Sequence, residues 1–154
     1  MIYKSVQADE KSDNMPVKTV EITSIDARRF TKPGEKINNV RIDNNSSVTL
    51  ITPMNDEEAN VEFRYTASYG GIGSIRMEGV IIYTGNVKDL ATKWINEGNM
   101  PDEIAGEIHT AIMRVCVPEA IIISKDIKLP PPIPLPNINF KKNKTKKSSG
   151  MEVA

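Results

Sequence analysis

With 154 residues, 39% of them apolar and 26% charged, the chain has the size and balance of one soluble globular domain. Twenty basic residues cancel twenty acidic ones, which excludes a global electrostatic pull toward nucleic acid or a membrane surface. A lone cysteine, Cys116, excludes an intrachain disulfide, and with aromatics at only 5% the core must be largely aliphatic.

In chain order, residues 1–16 are polar, end in Asn14-Met-Pro16 and read as a flexible arm. They lack the apolar stretch of a secretory signal, and the lone cysteine suits a reducing compartment, so a cytoplasmic location is expected. From Val17 the pattern turns to β. Val20, Ile22, Ile25 and Ala27 keep a mostly alternating run to Phe30, with a slip in phase at Thr23-Ser24. Lys32-Pro-Gly34 makes a turn, and Ile37, Val40 and Ile42 predict a short, irregular strand. Asp43 to Ser47 reads as a loop, and Val48 to Thr52 as a further strand closed by Pro53. The strongest β signal follows: Val61, Phe63, Tyr65 and Ala67 alternate with Glu62, Arg64, Thr66 and Ser68. Tyr69-Gly-Gly-Ile-Gly73 turns the chain back into a strand over 74–84, where Gly79 predicts a bulge or bend.

The period then becomes helical. Asn86 is a good N-cap with Asp89 three residues on, and Gly98 ends a short helix through Leu90, Ala91, Trp94 and Ile95. Pro101 suits the start of a second helix whose dipole Asp102 and Glu103 complement. Ile104, Ile108, Ala111, Ile112 and Val115 share one face of it, and Pro118 either kinks or restarts it before 120–127 continue. About four strands followed by helices predict an α+β fold, an antiparallel sheet with a short helix and a long proline-interrupted helix on one face.

Five of the ten prolines fall within 130–136, in Leu129-Pro-Pro-Pro-Ile-Pro-Leu-Pro136, which runs on to Ile138-Asn-Phe140. Proline fixes φ and removes the backbone donor, so this segment is an extended strap rather than helix or central strand. Lys128, Pro131 and Pro134 fit the [KR]xxPxxP spacing of ligands for aromatic grooves. The apolar Ile127, Leu129, Ile133, Leu135, Ile138 and Phe140 favour packing on its own domain or a second subunit. Residues 141–154 begin with five lysines in seven positions and read as a disordered, solubilising tail.

No constellation for catalysis stands out. His109 is the only histidine, and Cys116 lies two helical turns beyond it, so each reads better as an ordinary helix residue than as base or nucleophile. There is no CxxC or second histidine to hold a metal, and Gly71-Ile-Gly73 joins two strands rather than a strand and a helix. Neither a cofactor nor a metal is expected. The lysine tail could meet phosphate by charge alone, without an aromatic platform, so nucleic acid is not expected as a partner.

The order of elements, together with Leu129-Pro-Pro-Pro-Ile-Pro-Leu-Pro-Asn-Ile-Asn-Phe140, resembles the SecB family of export chaperones. That family has a four-stranded antiparallel sheet, a long helix interrupted by proline, and a proline-rich strap ending in Ile-Asn-Phe. The likeness spans 17–140, with the strap its specific part and the Gly-Gly-Ile hairpin a looser one. In the family an amphipathic helix follows the strap; here 141–150 are polar and lysine-rich. The resemblance implies a non-enzymatic protein that binds unfolded or partly folded polypeptide. Apolar residues available for such binding are Tyr65, Tyr69, Ile72, Met77, Tyr83, Trp94, Leu129, Ile133, Leu135 and Phe140. Unpaired sheet edges predict a homodimer or homotetramer. An adaptor whose strap or tail docks on a folded partner or nucleic acid, and an enzyme using His109, remain the alternatives.

Overall fold

The computed structural model describes residues 16–133. Residues 1–15 of the predicted arm over 1–16, the strap beyond Ile133 with Leu135 and Phe140, and the lysine tail lie outside the described residues.

Four strands, β1 (Val17–Arg29), β2 (Asp43–Pro53), β3 (Glu58–Ser68) and β4 (Gly73–Thr84), form one antiparallel sheet in the order β1-β4-β3-β2. Two helices follow, α1 (Val87–Glu97) and α2 (Asp102–Asp126). The protein is thus α+β. The alternation read in β3 is the alternation of burial: Ala59, Val61, Phe63, Tyr65 and Ala67 face inward, opposite Ile75, Met77 and Ile81 of β4. Helix α2 lies across this inner face and buries a row at four-residue spacing, Ile108, Ile112, Cys116, Ala120 and Ser124. The outer face mixes Leu50, Val80 and Ile82 with charged residues, and there Arg64–Glu78 at 2.9 Å and Arg76–Asp26 at 3.6 Å bridge neighbouring strands. Exposed pairs of this kind add little to stability.

The phase slip at Thr23-Ser24 is a break in register between Ile22 and Ser24, a bulge that lets β1 continue its inward pattern. Gly79 stands opposite it, but β4 is not bulged there against β3. The glycine is needed because a Cβ would strike the Phe63 ring at 2.6 Å and the carbonyl of Glu21. The caps of α1 are as expected. Asn86 accepts from the Asp89 amide at 3.2 Å, and Gly98, at φ +71°, donates to the Trp94 carbonyl at 3.0 Å. Helix α2 is one element of 25 residues that runs through Pro118 without a restart.

Two expectations fail. Residues 37–42 are not a strand: Val40 and Ile42 pack against the core from within the connection that carries the chain from one sheet edge to the other. Residues 43–47 are not a loop but the first half of β2. The polar side chains there are used: Asn44 bonds Tyr65 and the Pro132 carbonyl, and Ser46 bonds His109. A strand face that packs through hydrogen bonds carries no hydrophobic alternation to read.

Candidate functional site: the strap seat and the cleft along β1

Helix α2 ends at Asp126, and the chain turns through Lys128, which holds a left-handed φ of +59°. The Leu129 amide reaches back to the Ser124 carbonyl at 2.9 Å and that of Lys128 to Lys125 at 3.3 Å, the pattern of a Schellman cap. The strap then crosses the end of the sheet. Leu129 is buried over Gly73, where a Cβ would come within 2.9 Å of its methyl group. Pro132 is also fully buried. Because prolines have no N–H to offer, only their carbonyls can be held, and side chains hold them. The Tyr69 hydroxyl donates to the Pro130 carbonyl at 2.7 Å, and the Asn44 amide donates to that of Pro132 at 2.7 Å. The Tyr65 hydroxyl donates to the side-chain oxygen of Asn44 and fixes its orientation. Over its described part the strap therefore packs on its own domain.

The sequence-nominated residues divide accordingly. Tyr65, Tyr69 and Leu129 come together at this seat, with Met77 opposite Tyr65 in the register. All four are buried in the single chain and present no open surface. Burial holds the phenols of Tyr65 and Tyr69 in the neutral, donating form by raising their pKa. It also pushes the Cys116 thiol up to about 11, a poor state for a nucleophile. Ile72, beside the hairpin turn, and Trp94, on α1, are half-buried, and Ile133 is exposed at the strap end. Tyr83 stands apart at the opposite end of β4, buried, its ionisation disfavoured by burial and then by Glu107. His109 accepts from or donates to the Ser46 hydroxyl at 2.6 Å, a contact that ties edge strand β2 to α2.

Sequence reasoning missed an open cleft. Strand β1 pairs only with β4, so its other edge is unpaired among the described residues. Beside it a cavity of about 750 Å³ lies against α2, lined by Val17, Val20, Ala111 and Val115 and by the charged Asp102, Glu103, Glu107 and Arg114. A second cavity of about 720 Å³ shares Pro16, Glu103 and Glu107 with the first and extends it toward Tyr83 and Glu57. The signal was in the sequence: Ala111 and Val115 extend the apolar face of α2 beyond the row that meets the sheet. No helix among the described residues is long and apolar enough to cross a membrane, and none of their His, Cys, Asp and Glu side chains form a group of three suited to a metal.

The arrangement defines an α+β protein with a clamped proline strap at one end of its sheet and an apolar cleft beside one edge. No protein-family model matches the sequence, and no curated protein matches it. A solved structure to which the chain is similar is described as Mycobacterium tuberculosis Rv1957 SecB-like chaperone in complex with a ChAD peptide from Rv1956 HigA1 antitoxin. The two share 9% identity with a TM-score of 0.49, over 88% of this chain and 99% of that one. At that level neither fold nor function is carried over from the likeness.

Proposed function

We propose that this protein binds extended, unfolded polypeptide without catalysis, along the cleft between β1 and α2. The observation that carries the reading is the pairing of a partly apolar cavity of about 750 Å³ with a 13-residue strand whose outer edge is unpaired among the described residues. An edge strand supplies backbone donors and acceptors to any extended chain regardless of sequence, while alternate side chains of that chain enter the apolar cavity. A client that is merely apolar and extended meets both requirements. The sequence resemblance to the SecB family supports the same class of activity.

Ile72, Trp94 and Ile133 add accessible apolar surface to this reading. Tyr65, Tyr69, Met77 and Leu129 would join it only with the strap lifted. Self-association through sheet edges, to a dimer or tetramer, belongs to the same proposal, and a second copy at β1 would compete with client there.

The test is suppression of aggregation of several unrelated unfolded proteins. Protection at stoichiometric excess, lost on Ala111→Glu with Val115→Asp and retained in His109→Ala, is the expected result. Failure to protect any of them removes the reading, and loss of function on His109→Ala in a folded chain would favour an enzyme.

A further inference from the structure

The strap seat has a property that a simple buckle does not need. Beyond the capping bond of the Leu129 amide, the strap offers carbonyls and apolar side chains, and the seat offers side-chain donors and a space. The Tyr69 hydroxyl, the Asn44 amide and the gap over Gly73 would receive the same strap from a different chain equally well. No backbone ladder fixes the strap to its own domain, because Pro130, Pro131 and Pro132 have no donors.

The link between strap and domain is also short and strained. Lys128 alone makes the turn, at φ +59°, a region that glycine takes freely and lysine does not. Returning Lys128 to an extended φ relieves that strain and aims the strap away from its own sheet. Against this stand the two capping bonds from Lys128 and Leu129 to Lys125 and Ser124, which favour the closed form in an isolated chain. Short strained hinges beside an element that can be seated by an identical copy favour exchange as concentration rises.

We infer that the strap is exchangeable: residues 129–132 of one copy sit in the Asn44–Tyr69–Gly73 seat of a second copy, with Lys128 as the hinge. The exchanged pair makes every side-chain contact of the seat and loses the left-handed turn with its two capping bonds. The strap seat is then an interface between two copies, separate from the β1 cleft.

Mixed disulfide trapping tests this with the full chain. One preparation carries Asn44→Cys and the other Pro132→Cys, both with Cys116→Ala, so a disulfide between unlike copies forms only when strap and seat belong to different chains. Adding Lys128→Pro to both forbids the left-handed turn, and adding Lys128→Gly eases it. The expected yield of the mixed disulfide is at least tenfold higher with proline than with glycine, and it rises with protein concentration. Equal yields, or no mixed disulfide, overturn the inference. Should the proline chains not fold, Lys128 is compared with Lys128→Gly instead, and a glycine yield equal to or above that of lysine overturns it. Dimers that form without the mixed disulfide also count against it.

Discussion

Gly73 and Lys128 set the path of the strap between them, one by lacking a side chain and the other by turning the backbone against its preference. A Cβ at Gly73 would meet the Arg28 carbonyl at 2.6 Å and Leu129 at 2.9 Å, so neither the β1 pairing nor the seat can absorb it easily. Gly73→Ala is therefore expected to lower stability by about 2 kcal/mol, as overpacking of a filled site does. Urea unfolding measures it, and proteolysis within the strap should become faster in the variant; an unchanged midpoint would show that Leu129 is not held there. The tightness at Gly73 was not legible in the sequence. Its Gly-Gly-Ile-Gly context announced a turn, which is present as the Gly70–Ile72 element, but the glycine at 73 is also required by a contact with a residue 56 positions away. Gly79 shows the same limit: a glycine in a strand was readable as special, while the Phe63 ring that requires it was not.

At the scale of elements, legibility followed the source of each element's stability. Helix α1 was readable because its ends are local: Asn86 and Gly98 satisfy backbone groups a few residues away. Strands β3 and β4 were readable because they sit in the middle of the sheet and bury every second side chain. Strand β2 was half missed because Asn44 and Ser46 meet Tyr65, the strap and His109 through hydrogen bonds. Those partners lie 21 to 88 residues away, and no local pattern encodes them. Asn44 matters most, since it both accepts from the Tyr65 phenol and donates to the strap. Asn44→Ala leaves a phenol donor and a proline carbonyl without partners and should cost about 2 kcal/mol. Tyr65→Phe in the same chain should recover part of that loss, because it removes the stranded donor. A double-mutant cycle by denaturant unfolding checks the coupling; strictly additive costs would dissolve the network into separate contacts.

For the whole molecule, the two ends of the inner face serve different purposes. At the strap end, Tyr65, Tyr69, Leu129 and Pro132 close the core beneath donor-poor chain. Toward the start of β1, Val17, Val20, Ala111 and Val115 wall an open cleft between that strand and α2. The strap, the most specific element of the sequence, is thus packed away over its described part, and the surface proposed for clients is one that residue patterns only hinted at. Hydrogen–deuterium exchange with and without a saturating, reduced and alkylated client protein tests that assignment most directly. The account predicts added protection of amides in β1, Val17–Arg29, and at Ala111 and Val115 of α2, with the strap seat unchanged. Protection that spares β1 and falls instead on α1 or the outer face of the sheet would contradict it.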